Sequence, residues 1–169
     1  CTFGRPLRSQ TLWRARIGVI YPGNGLLDHE YWAFVPDDVG VFMNRTPVHR
    51  RDDTVKVAIE LAETPDIEET ARQYDRIGLS SIAYACTTFS FVRGVGGDKD
   101  IIQRIEKATG VPATTTSTAA VNALRSINAK RIAVVTPYLD EINDKLKSFQ
   151  EPSGFEVLAM RGMQLDSDD

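Results

Sequence analysis

Cysteine and histidine are scarce in this sequence, and each scarcity removes a class of function. Two cysteines, Cys1 and Cys86, cannot build a disulfide framework, and a reducing cytoplasm is the expected compartment. The two histidines, His29 and His49, lack partners at ligand spacing, so no metal site is expected and both read as surface or packed residues. No stretch approaches the ~18 consecutive apolar residues of a membrane span. Arg5 and Arg8 are not followed by the apolar segment of a signal peptide. There is no basic excess either. With 20 Lys and Arg against 23 Asp and Glu, the net charge of -3 argues against a nucleic-acid partner. The local cluster Arg45, Arg50 and Arg51 reads as a small-anion contact or a solvated face. The lack of an initiator methionine and the Leu165-Asp166-Ser167-Asp168-Asp169 end suggest a fragment or a processed chain.

What is present is an alternation. The chain has 169 residues, 42% apolar and 25% charged, enough for one compact domain or two small halves. Arg16–Tyr21 is a short apolar run stopped by Pro22-Gly23-Asn24-Gly25, and Val39–Met43 is a second. Helical spacing follows from Asp52 through Val55, Ile59 and Ala62, and again over Asp66–Tyr74. Leu79–Ala85 is the third predicted strand, ending at Cys86. Gly94-Val95-Gly96-Gly97 leads to Asp98, the expected N-cap of a helix carrying Ile101, Ile102, Ile105 and Ala108 and closed by Gly110. Val111–Thr115, Arg131–Thr136 and Phe155–Met160 complete six strands, separated by helices over Ser117–Ile127 and Tyr138–Phe149. Strands alternating with helices at this spacing imply parallel pairing through crossovers, an α/β architecture.

Ligands of open parallel sheets bind beyond the carboxyl ends of the strands. The residues there are Asn24, Arg45, Thr46, Cys86, Thr87, Thr88, Thr116, Ser117 and Tyr138: hydroxyls, an amide and one thiol, with no carboxylate cluster. Gly23-Asn24-Gly25 fails as a dinucleotide loop, because the third glycine would fall at Asp28. Gly94–Gly97 lacks the lysine and hydroxyl of a phosphate loop and reads as a turn. Cys86 is either a small buried hydrophobe or a thiol activated by backbone N–H groups of the hydroxyl-rich turn Thr87-Thr88-Phe89-Ser90. Tyr138 is either a pocket phenol or an amphipathic side chain at a helix start.

The stretch Tyr84-Ala85-Cys86-Thr87-Thr88-Phe89-Ser90-Phe91-Val92-Arg93-Gly94 resembles the first active-site loop of the aspartate/glutamate racemase superfamily, in the branch of maleate cis-trans isomerases and arylmalonate decarboxylases. Arg131–Asn143, with Thr136-Pro137-Tyr138, is similar to that branch's strand-to-helix segment carrying its pocket tyrosine, and Thr116–Leu124 and Gly18–Asn24 fit as well. The likeness runs from Arg16 to about Met160. It implies two similar α/β lobes with parallel sheets flanked by helices: a first lobe over residues 1–115 carrying Cys86, and the start of a second, incomplete in this chain, over 116–169 carrying Tyr138.

The likeness also implies chemistry without a cofactor. Cys86 matches the first of two family cysteines and is the expected catalytic residue, with Asn24, Thr87, Thr88 and Tyr138 binding substrate. The second cysteine has no counterpart after Cys86. The natural protein is accordingly expected to run longer, by about 60 to 80 residues, with a second cysteine facing Cys86. The expected function is an isomerase or racemase acting on a small (di)carboxylic acid through a cysteine thiolate and an oxyanion pocket, resembling maleate isomerases. An arylmalonate-type decarboxylase is the alternative among enzymes, and a catalytically silent carboxylate-binding protein is the alternative of another class. The expected partner is a small carboxylate, with no nucleic acid and no membrane, and a homo-oligomer is left open.

Overall fold

The apolar run around Gly18-Val19-Ile20 lies at the centre of the first sheet because it is buried on both sides. In the computed structural model, which describes residues 13–47 and 54–165, it forms β1 (Ala15–Pro22). β2 (Val39–Thr46) and β3 (Ser81–Tyr84) flank it, and β4 (Ala113–Thr115) pairs with β3, giving the order β2-β1-β3-β4. Every pairing is parallel, with Ile20 opposite both Asn44 and Tyr84. A separate two-stranded parallel sheet joins β5 (Arg131–Thr136) to β6 (Glu156–Gly162), with a register shift at Ile132/Ala133. The architecture is α/β with parallel sheets flanked by helices. Parallel pairing forces the crossover helices, since two strands of one direction cannot be joined by a tight turn.

Seven helices are described: α1 (Asp28–Phe34), α2 (Val55–Glu63), α3 (Asp66–Arg72), α4 (Thr87–Phe91), α5 (Gly97–Thr109), α6 (Thr116–Ser126) and α7 (Asp140–Gln150). Ile67 and Ala71 of α3 and Ile101 and Ile105 of α5 pack with Ile20, Ile82 and Tyr84 as one core. Val121 of α6 and Ile142, Leu146 and Phe149 of α7 pack with Phe155 as a second, and Phe91 of α4 inserts into it. The short α4 therefore begins on one sheet and ends in the core of the other.

Three local expectations are corrected. Asp98 is not an N-cap: Gly96 takes that position with φ 94°, which favours glycine, and Asp98 turns inward to accept a hydrogen bond from Thr118. The segment after Cys86 is a short helix rather than a turn. β3 and β4 are shorter than the apolar runs, because chain pairing stops where the crossovers leave the sheet. Cys1, Arg5, Arg8, His49, Arg50, Arg51 and residues 166–169 lie outside the described residues. Among the described residues, no helix is long and apolar enough to cross a membrane.

Candidate functional site

β3 delivers Cys86 to the carboxyl edge of the first sheet. The Ala85 N–H still donates to the Ile20 carbonyl at 2.8 Å, so strand-like pairing holds the chain to within one residue of the thiol. Cys86 then occupies the N-cap position of α4, with extended backbone angles of φ -124° and ψ 113°. Its sulfur faces the N–H groups of Phe89 and Thr88, although neither closes a full capping hydrogen bond. The thiol is 9% exposed and packs with Ile20 and Tyr84.

Burial dominates the electrostatics. It pushes the Cys86 thiol up to about 12, against the smaller opposite pull of the Phe89 and Thr88 N–H groups. Burial thus works against the expectation that backbone donors bring this thiol into the reactive range. Tyr84, the last residue of β3 and two before Cys86, is buried with no hydrogen-bond partner for its hydroxyl among the described residues, and burial raises that phenol well above its ordinary value.

Tyr138 comes from the other sheet. β5 ends at Thr136, and the loop to α7 turns through Pro137 and Tyr138. The Thr136 Oγ1 accepts the Tyr138 N–H at 3.2 Å and pairs with Asn143 Oδ1 at 2.7 Å, while Asn143 Nδ2 donates to the Tyr138 carbonyl at 3.3 Å. Gly162 of β6 lies directly under that carbonyl, where a Cβ would collide with it. So fixed, the half-buried Tyr138 phenol reaches the hydroxyls of Thr88 and Thr87 and comes within electrostatic range of Cys86. Burial raises its pKa, the Thr88 hydrogen bond lowers it, Cys86 raises it, and Thr87 lowers it. Thr87 is exposed and Thr88 half-buried, so hydroxyl donors line the approach to a thiol at the bottom.

Four of the five residues expected from the sequence, Cys86, Thr87, Thr88 and Tyr138, therefore meet at one place. Asn24 lies at the same sheet edge, exposed in the turn after β1. Arg45 is not a free anion contact. Its guanidinium donates to the Pro22 and Gly25 carbonyls at 2.9 and 3.0 Å, pairs with Asp28 at 2.6 Å and lies over the Tyr21 ring at 5.4 Å. This clamp holds α1, whose Tyr31 the sequence reading did not single out. The Tyr31 phenol stacks edge-on with Tyr21 at 5.7 Å and lies in electrostatic range of Cys86. Its sequence signal is its position after the first strand's loop, and α1 itself buries no residue. His29 is exposed. Among the described residues no group of three or more His, Cys, Asp or Glu side chains is placed to hold a metal. The concavity lined by Tyr74, Gly78, Leu79, Ile82, Thr109 and Val111 opens at the opposite, amino-terminal ends of β3 and β4.

A family profile described as arylmalonate decarboxylase matches residues 62–169. The arylmalonate decarboxylase of Bordetella bronchiseptica is 31% identical over 103 residues, covering 58% of this chain and 43% of that protein. The maleate isomerase of Pseudomonas putida is 26% identical over 159 residues, covering 89% of this chain and 64% of that protein. Among solved structures, a Nocardia farcinica maleate cis-trans isomerase variant with a covalently bound succinylcysteine intermediate superposes with a TM-score of 0.76 at 19% identity, over 90% of this chain and 64% of that one. The chain thus spans less than two thirds of the length of these relatives.

Proposed function

The chain belongs to the arylmalonate decarboxylase family, and from that premise we propose a cofactor-independent enzyme that rearranges a small carboxylic acid, foremost a maleate-like cis-diacid. The observation that carries this reading is the meeting of Cys86 with the Thr87, Thr88 and Tyr138 donors from two different sheets. A reaction next to a carboxylate builds negative charge on its oxygens. Preorganised O–H and N–H donors can meet that charge in a water-poor site.

In the isomerisation, the Cys86 proton passes to an oxygen of the substrate carboxylate as sulfur adds to one alkene carbon, and it returns to sulfur when the C–S bond later breaks. The C–S bond forms while the π pair moves onto the carboxylate held by Thr87, Thr88 and Tyr138. The remaining carbon–carbon single bond rotates, the pair returns, and the C–S bond breaks to release the trans-diacid. The covalent succinylcysteine recorded for the Nocardia isomerase variant supports this route. Asn24 is assigned to the second carboxylate. Residues 1–115 and 116–169 are assigned to the two lobes that contribute the thiol and the phenol.

A second reading is favoured by the 31% identity to the Bordetella arylmalonate decarboxylase. In an arylmalonate-type decarboxylation, the bond to one carboxylate breaks, carbon dioxide leaves, and the electron pair spreads over the remaining carboxylate as an enediolate. A proton from a second cysteine thiol, with Cys86 secondary, then quenches the α-carbon. Proton NMR of the full-length protein with maleate and with phenylmalonate separates these readings. Fumarate from maleate supports the first, phenylacetate and carbon dioxide support the second, and binding of either diacid without turnover marks a silent carboxylate-binding protein.

A further inference from the structure

Ser90 is fully buried, at 0% exposure, and neither sheet pairing nor the proposed chemistry uses it. Its hydroxyl donates to the Thr87 carbonyl at 2.8 Å. Its oxygen accepts the Ser117 N–H at 3.2 Å and lies 2.6 Å from the Ser117 hydroxyl, which itself comes within 3.4 Å of the same Thr87 carbonyl. One proton assignment satisfies every group: Ser90 donates to Thr87, and Ser117 donates to Ser90 through both its N–H and its O–H. Ser117 stands on α6, whose first turn is anchored beside it. Thr118 donates to Asp98 Oδ2 at 2.5 Å, and the Thr118 N–H donates to Thr115 Oγ1 at 3.2 Å.

The Thr87 carbonyl shares a planar trans peptide with the Thr88 N–H, and in such a peptide the two groups point in opposite directions. Holding the carbonyl against α6 therefore turns the Thr88 N–H to the other side, where it faces Cys86. The two threonine side chains that meet Tyr138 hang from the two ends of this same plane. We propose that Ser90 and Ser117 are positioning residues whose hydroxyl pair sets the Thr87–Thr88 peptide, and with it the donors around Cys86. The proposal rests on the reading of Cys86 as the reacting group.

The test measures thiol reactivity and not turnover. The full-length protein is treated with methyl methanethiosulfonate at pH 8, and modification of the tryptic peptide Ile77–Arg93, which holds Cys86, is timed by mass spectrometry. Ser90→Ala is expected to slow modification about three- to tenfold, because less of the thiol ionises once the Thr88 N–H is no longer held towards sulfur. Ser90→Thr, which keeps the hydroxyl, is expected to retain the wild-type rate. Loosened packing alone has the opposite sign, since an opened site speeds modification. A folded Ser90→Ala protein that reacts at the wild-type rate or faster overturns the proposal. If that variant does not fold, Ser117→Ala, which keeps the N–H to Ser90, is expected to slow the reaction about two- to threefold, and an unchanged or faster rate again overturns it. Failure to turn over either diacid would remove the proposed function and leave this measurement standing on its own.

Discussion

Phe91 and Tyr138 stack with ring centroids 6.0 Å apart and planes tilted by 54°. Phe91 closes the five-residue helix that Cys86 caps, and its side chain is buried in the core of the second sheet. Tyr138 tops the loop leaving that sheet. The contact therefore registers the thiol segment and the phenol segment against each other, and the site is a joint between two sheets rather than a pocket within one.

Replacing the thiol tests the assignment most directly. Cys86→Ala is expected to abolish conversion of maleate to fumarate while costing about 1 kcal/mol of stability, as a small change at a buried position. Turnover by NMR and a urea melt check the two halves. Wild-type turnover in the variant would remove Cys86 from the chemistry.

Tyr138→Phe keeps the ring against Phe91 and deletes only the hydroxyl that reaches Thr88 and Thr87. Loss of one preorganised donor to a developing oxyanion is expected to lower kcat about 10²- to 10³-fold. The thermal melt should stay near wild type. A drop in stability with kcat intact would assign Tyr138 to packing instead.

The strands were legible because each is a short apolar run bounded by breakers, and β5 coincides with the expected Arg131–Thr136. Helices α1 and α4 were not. α1 is seven residues long and buries none of them, and Thr87–Phe91 is too short for a 3.6-residue period to register. Cys86, Thr87, Thr88 and Tyr138 were readable from their positions at strand ends and from their likeness to a known loop. The Ser90–Ser117 pair was not, because 27 residues separate the partners and only the folded chain brings them together.

The buried thiol also carries a pH signature. Its pKa rises on folding from an ordinary 9.0 to about 12, so the folded chain holds this proton more tightly than the unfolded chain between those values. The stabilisation is complete below about pH 9 and is lost as pH rises towards about 12. Denaturant midpoints measured from pH 8 to 11 should fall more steeply for wild type than for Cys86→Ala. Parallel profiles would show that this thiol titrates at its ordinary value.

Because the proposed stabilisation of negative charge comes from hydroxyl and N–H donors, turnover is expected to survive EDTA. Activity lost on chelation and restored by zinc or magnesium would contradict that.

Gly162 offers a way to move the phenol without touching it. It ends β6 directly beneath the Tyr138 carbonyl, with the Asn143 amide nitrogen 2.5 Å from where a Cβ would stand. That same Asn143 holds Thr136 and the Tyr138 carbonyl, so the loop has no slack on this side. Gly162→Ala must push either the carbonyl or the Asn143 side chain aside. The expected cost is about 1–3 kcal/mol, as for overpacking a filled site. The accompanying shift should carry the hydroxyl away from Thr88 and reduce kcat, and because Tyr138 stacks on Phe91 of α4 the Cys86 modification rate reports whether the shift reaches the thiol segment. Thermal melts, turnover and thiol labelling on one variant separate these effects. A Gly162→Ala protein with wild-type stability and turnover would mean that the Tyr138 loop is not pinned by this contact.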